Sequence, residues 1–92
     1  MDRERAEAII IEEVTRAFAL QGDAGHAVTP ETSIYGPTSD LDSLGFISAV
    51  LGVEDALRHE GIALNLNPDG SFDPAVRYAT VATMTDYIVS AV

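Results

Sequence analysis

Apolar residues recur at helical spacing in three separate parts of the chain. Between positions 2 and 21 they follow one another at intervals of three and four residues, while charged residues take the opposite face. This pattern predicts a first helix that stops before Gly22. Its predicted core positions are Ala6, Ile10, Ile11, Val14, Ala17 and Phe18.

A second helical pattern begins at Asp42 or Ser43 and continues to about Glu60, where Gly61 ends it. Its predicted apolar stripe consists of Leu44, Ile47, Val50, Leu51 and Leu57. Positions 22–42, between the two helices, are rich in glycine and proline and predict a long loop. Ile34 and Tyr35 are expected to hold the middle of this loop against the core.

The last third of the sequence predicts two further helices of unequal length. Positions 62–71 are irregular and contain Asn-Pro and Asp-Gly turn signals. Asp73-Pro74 predicts the start of a short helix through Tyr78, and Thr80 a cap for the final helix. The core positions of that final helix are predicted to be Val81, Met84 and Ile88. Together these patterns predict a single all-α domain over 1–92, with four helices.

Composition narrows the class of protein. A hydrophobic fraction of 47% is sufficient for a globular domain, and the absence of cysteine excludes disulfides and thiolate metal sites. No apolar run approaches the roughly 20 residues of a membrane span, so no membrane insertion is expected. The N-terminal residues are mixed in charge and predict no secretory signal. We therefore expect a soluble, cytoplasmic protein.

Charge is strongly unbalanced towards acid. Fifteen acidic residues face five arginines, for a formal net charge of −10. Nucleic acid requires cationic contacts and is therefore not expected as a partner, and an anionic membrane surface would repel the domain. Such a surface either steers the protein towards partners with basic docking patches or serves only to keep a small domain in solution.

Ser43 lies at a predicted junction between loop and helix, which would expose its hydroxyl. A helix N-terminus carries unpaired N–H groups and a partial positive charge, and both favour an attached phosphate. Leu44 is expected to anchor the helix to the core beneath the serine, whereas Asp40 and Asp42 would repel a phosphate. The alternative interpretation is that Ser43 or Asp42 acts only as a helix cap.

The sequence around this serine resembles the acyl carrier protein family. Asp42-Ser43-Leu44 is followed by an amphipathic helix that ends in Glu54-Asp55-Ala56-Leu57. Thr80-Val81 and Asp86-Tyr87-Ile88 are similar to the closing helix of that family. The first helix and its long loop also fit in order and length, so the resemblance covers most of the chain.

The resemblance implies a four-helix bundle of acyl-carrier-protein type, with a short third helix and a long loop between helices 1 and 2. A phosphopantetheinyl transferase, using coenzyme A and magnesium, would attach 4'-phosphopantetheine to Ser43, between Asp42 and Leu44. The thiol of this arm would carry acyl groups as thioesters to acyl-loading and acyl-transfer enzymes. The protein would be a monomer and not itself an enzyme.

The resemblance also implies that partners dock on the second helix. Glu54 and Asp55 would supply docking charges, and Phe46 and Ile47, where this chain departs from the family, would supply apolar contacts in place of ionic ones. The acyl chain would fold back between helices, against Leu51, Ile62 and Ile88. Where the family commonly has acidic residues after the serine, this chain has Gly45-Phe46-Ile47-Ser48. This departure favours a specialised fatty acid, lipid or polyketide pathway.

Other candidate chemistry is weaker. Positions 65–73 partly match the calcium loop of an EF-hand, but Val76 occupies the position of its bidentate glutamate, so a polar turn is favoured. His26 and His59 lack motif partners, and no metal site or catalytic residue is predicted. The alternative function is an acidic helical protein-interaction module without a prosthetic group.

Overall fold

Three α-helices make up the regular structure in the computed structural model, which describes residues 1–66 and 77–92. They are α1 (Arg3–Leu20), α2 (Ser43–His59) and α3 (Val81–Ala91). Within these described ranges the fold is all-helical, and the one β-type pairing is an isolated bridge between Ser33 and Thr80. The first, second and last predicted helices are confirmed. The short helix predicted from Asp73 to Tyr78 lies mainly outside the described residues, so the four-helix bundle stays a prediction.

The core is built around α1, which packs against both α2 and α3. The predicted core positions of α1 are buried, except Ile11, which is half-buried. Ile9, which was not among the predicted positions, is buried as well. All buried apolar residues of the described part belong to one cluster. None of the three described helices has the length and apolar character needed to cross a membrane.

The buried face of α2 differs from the predicted stripe. Val50 and Leu57 are buried as expected, but the prediction is wrong for the three other positions, Leu44, Ile47 and Leu51, which are exposed. The residues buried instead are Gly45, Phe46, Ala49 and Val53. Both sets fit helical spacing. In the observed rotation of α2, the Phe46 ring packs between the rings of Tyr35 and Tyr78, and Leu44, Ile47 and Leu51 lie on the opposite, exposed side.

The long loop is fastened to the start of α3. Ile34 is completely buried, and its backbone N–H donates to Ala79 O at 3.0 Å. Two N–H groups at the start of α3 donate back to the loop, from Val81 to Thr32 O and from Ala82 to Pro30 O. The prediction for Ile34 is confirmed. Tyr35 is partly exposed, although its ring lies 4.8 Å from that of Phe46.

The start of α3 is fixed by a complete capping box. Thr83 N donates to Thr80 Oγ1 at 3.1 Å, and Thr80 N donates to Thr83 Oγ1 at 2.7 Å. The predicted cap is confirmed, as are the predicted core positions Val81, Met84 and Ile88, which are completely buried.

Candidate functional site

Ser43 is the first residue of α2 and is exposed. Its neighbour Asp42 is the N-cap: its Oδ1 accepts a hydrogen bond from Gly45 N at 2.6 Å, and its backbone oxygen accepts one from Phe46 N at 2.8 Å. Ser43 Oγ makes no hydrogen bond to any residue that the structure describes. Because Asp42 does the capping, the Ser43 hydroxyl is left available for chemistry.

The helix start is favourable for negative charge in spite of two nearby aspartates. Among residues 1–66 and 77–92, no acceptor contacts the backbone N–H groups of Ser43 and Leu44, which lie in the first turn of α2. The Asp42 carboxylate is directed at Gly45 N, so the helix terminus partly compensates its charge. Asp40 is exposed to solvent, which screens it.

Leu44 does not anchor the helix start, and that prediction is wrong. Its side chain is 80% exposed. The residues that hold this turn in the core are instead Leu41 and Phe46, each 6% exposed, one on either side of Ser43. Since side chains two or three positions from the serine are buried, Ser43 itself can point outwards from a fixed backbone.

The predicted apolar contact at Phe46 is also wrong, because its ring is buried between those of Tyr35 and Tyr78. Ile47 is exposed as its predicted docking role requires. Together with Leu44 and Leu51 it forms an exposed apolar surface on the outer side of α2, which we term the outer strip. Its three members are spaced by three and four residues and so share one side of the helix.

The two predicted docking charges differ in their surroundings. Glu54 is only 17% exposed; its Oε1 lies 3.3 Å from Arg58 Nη2, and its Oε2 accepts a hydrogen bond from Leu66 N at 2.8 Å. Asp55 is exposed, with Oδ1 3.5 Å from Arg58 Nη1. Arg58 therefore compensates part of the negative charge of both residues. Glu54 in addition ties the segment after α2 to the helix.

Sequence reasoning missed Gln21, which lies at the end of α1 and contacts the turn before Ser43. Its Nε2 donates to Asp40 O at 2.9 Å, and its Oε1 accepts from Asp42 N at 3.1 Å. A contact across a loop of twenty residues leaves no periodic signal. The one local hint is the glycine at position 45, where a capping box would have a side chain.

The remaining predicted residues do not form a second site. His26 stacks on Phe18 with ring centroids 4.0 Å apart, and His59 Nδ1 lies 2.9 Å from Asp55 O, so both rings have structural contacts. No cluster of His, Asp and Glu suited to a metal ion occurs in the part of the chain that the structure describes, and most of the predicted polar turn at 65–73 lies outside it.

The residues expected to receive an acyl chain are not equally accessible. Leu51 belongs to the exposed outer strip, Ile62 is half-buried, and Ile88 is completely buried in the core.

Comparison with protein-family models, curated proteins and solved structures found no match to this chain. Function is therefore inferred from the site itself and from the resemblance of its residues to those of a known family.

Proposed function

We propose that this protein is an acyl carrier protein whose Ser43 receives a 4'-phosphopantetheine arm. The observation that carries the proposal is an exposed serine hydroxyl, free of hydrogen bonds to the described residues, at the first position of a firmly capped helix. Transfer from coenzyme A forms a phosphodiester at Ser43 Oγ and releases the adenosine bisphosphate half of the coenzyme. The terminal thiol of the arm then holds acyl groups as thioesters.

The surroundings of Ser43 support this role in two ways. Burial of Leu41 and Phe46 fixes the backbone, so that a transferase meets the hydroxyl in one position. The free N–H groups of the first helical turn favour the phosphate once it is attached. The protein presents the acyl group and carries out no bond chemistry on it. We propose that it acts as a cytoplasmic monomer.

Partner enzymes are proposed to bind the outer strip mainly through apolar contacts. Any enzyme that reaches Ser43 must lie against its neighbour Leu44, and Ile47 and Leu51 continue the same side of α2. The acidic pair further along the helix is compensated by Arg58, which weakens its attraction for basic docking patches. The acidic remainder of the surface then contributes to the rate of encounter more than to the strength of the complex.

Intact-mass measurement tests the proposal directly. The purified protein is incubated with coenzyme A, Mg²⁺ and a phosphopantetheinyl transferase of broad specificity. We expect the mass of one phosphopantetheinyl group to be added to the wild type and nothing to be added to Ser43→Ala. Ser48→Ala, which removes an exposed serine from the same helix, is the matched control and should be modified like the wild type.

The alternative is a protein-interaction module with no prosthetic group, and the exposed outer strip is the observation that favours it. The same measurement separates the two functions. A wild type that stays unmodified with several transferases, while Leu44→Asp abolishes binding of a protein partner, would support the module and contradict the carrier.

A further inference from the structure

The N-terminus of α2 has half of a capping box within its own sequence. In a complete box the N-cap side chain accepts from the backbone N–H at the third helical position, and the side chain there accepts from the N-cap N–H. Asp42 fulfils the first half through Gly45 N at 2.6 Å. The third position is glycine, which has no side chain to fulfil the second.

Gln21, the C-cap of α1, supplies the missing acceptor. Its Oε1 accepts from Asp42 N at 3.1 Å, and this oxygen lies only 2.9 Å from the point where a Cβ at position 45 would be. It therefore occupies the space of the missing side chain. Its Nε2 donates to Asp40 O at 2.9 Å, so only one orientation of the amide satisfies both bonds.

Gln21 also closes the end of α1, because its backbone N–H donates to Ala17 O and Phe18 O, both at 3.2 Å. One residue thus links the last turn of α1 to the cap that immediately precedes Ser43. The box of α3 needs no such help, since Thr83 provides the acceptor locally.

We propose that Gln21 is a positioning residue for Ser43: from the C-cap of α1 it completes the capping box of α2 and so fixes the helix start at which the transferase acts. The inference rests on the proposed function of Ser43. It also explains Gly45, a poor helix former in the first turn, because any larger residue there would displace the Gln21 amide.

The first test measures hydrogen exchange at the amide of Asp42 and needs no modification of Ser43. We expect Gln21→Ala to speed this exchange by about 3–10-fold, the range that corresponds to loss of one hydrogen bond. Gln21→Glu keeps an oxygen acceptor and should restore part of the protection. Thr83→Ala is the matched control, which should speed exchange at Thr80 and leave Asp42 unchanged. Unchanged exchange at Asp42 in Gln21→Ala would overturn the proposal.

The second test is the kcat/KM of transfer to Ser43, measured well below the melting temperature of each variant. We expect a fall of about 3–10-fold for Gln21→Ala, a smaller fall for Gln21→Glu, and no change for Thr83→Ala. Because Thr83→Ala loses an equivalent bond, a general loss of stability would affect both proteins alike. Equal transfer to the wild type and Gln21→Ala would overturn this inference alone, whereas a wild type that accepts no arm overturns the proposed function with it.

A double-mutant cycle tests the link to Gly45. A Cβ added by Gly45→Ala would meet Gln21 Oε1 at 2.9 Å, and also Leu41 Cδ1 at 2.8 Å and Leu41 Cγ at 3.1 Å. The substitution should therefore displace both the Gln21 amide and Leu41, and slow transfer at least as much as Gln21→Ala. In the Gln21→Ala background only the contact with Leu41 is left, so Gly45→Ala should slow transfer less than it does in the wild type, and fully additive effects would contradict the coupling.

Discussion

Tyr78 combines complete burial with a polar group that has a defined partner. Its hydroxyl donates to Leu66 O at 2.8 Å, and its ring makes an edge contact with Tyr87 at 6.0 Å. Burial raises the pKa of the Tyr78 hydroxyl well above its ordinary value of 10.0, since the phenolate would lose its hydration. The neutral form is therefore a requirement of the folded state.

We expect Tyr78→Phe to lower the free energy of unfolding by about 1–3 kcal/mol at neutral pH, because Leu66 O loses its donor in a buried place. Above pH 10 the unfolded wild type ionises Tyr78 while the folded protein does not, so wild-type stability falls as pH rises. Tyr78→Phe has no hydroxyl to ionise at this position and does not lose this stability. The difference in free energy of unfolding between the two proteins should therefore narrow as pH rises above 10. Urea unfolding at neutral and alkaline pH measures it, with the partly exposed Tyr35→Phe as control.

Phe46 and Leu44 are two positions apart in α2 but differ in burial, and truncation should separate them. We expect Phe46→Ala to reduce the free energy of unfolding by about 3–5 kcal/mol and Leu44→Ala by less than about 0.5 kcal/mol. Leu44→Ala should instead slow transfer to Ser43, because it shortens the outer strip next to the serine. Similar destabilisation by both substitutions in urea unfolding would contradict the observed rotation of α2.

At the scale of the element, the helix bounds were predictable because their signals are local. The caps Asp42 and Thr80 and the stop at Gly61 each depend on neighbouring residues alone, and Gly61 adopts a φ of 83° that glycine favours. The rotation of α2 was not predictable in the same way. Its apolar residues occupy two sides, and tertiary contacts decide which side is buried, among them the packing of α2 on α1 and the contacts of Phe46 with Tyr35 and Tyr78.

The candidate site likewise has features that the local sequence predicts and features that depend on tertiary contacts. Ser43 and its cap are found from a short string of residues and a family resemblance. The support from Gln21 depends on how a loop of twenty residues closes, which neither periodicity nor composition records. The position of Glu54 on α2 suggests a docking charge, but its hydrogen bond to Leu66 N is a tertiary contact that the helical pattern does not contain.

Replacement of Glu54 tests how much this contact fastens the segment after α2. We expect Glu54→Ala to lower the free energy of unfolding by about 1–3 kcal/mol, because it removes the acceptor of a half-buried N–H as well as an ion pair. Asp55→Ala, the adjacent and exposed carboxylate, is the matched control and should change it by less than about 0.5 kcal/mol. Equal effects of the two substitutions in urea unfolding would mean that Glu54 has no special structural role.

At the scale of the whole molecule, the excess of acid acts over distances comparable with the protein. The chain measures 32 × 25 × 19 Å, and electrostatic screening has a range of about 30 Å at 10 mM salt but only about 8 Å at 150 mM. At low salt, therefore, carboxylates on opposite sides repel one another. Ion pairs in contact, such as Arg5–Glu60 at 2.6 Å, are much closer than either screening length, so added salt weakens their attraction less than it weakens repulsion across the molecule.

Repulsion should consequently decide the response to salt. We expect the melting temperature to rise between about 10 and about 150 mM NaCl, by roughly 4–8 °C for each kcal/mol of repulsion that is screened. Magnesium should have the same effect at lower concentration, because a divalent ion screens more strongly. Thermal unfolding followed by circular dichroism measures the change.

Position 31 provides a graded control for this response, since Glu31 is exposed and forms no ion pair with a described residue. Glu31→Gln and Glu31→Lys lower the net negative charge by one and by two, and Glu31→Asp leaves it unchanged. If repulsion across the molecule governs stability, the melting temperature at low salt should increase from Glu31→Asp to Glu31→Gln to Glu31→Lys. The rise in melting temperature on adding salt should become smaller in the same order. A response to salt that is the same in all three variants would instead assign it to particular contacts and not to the net charge.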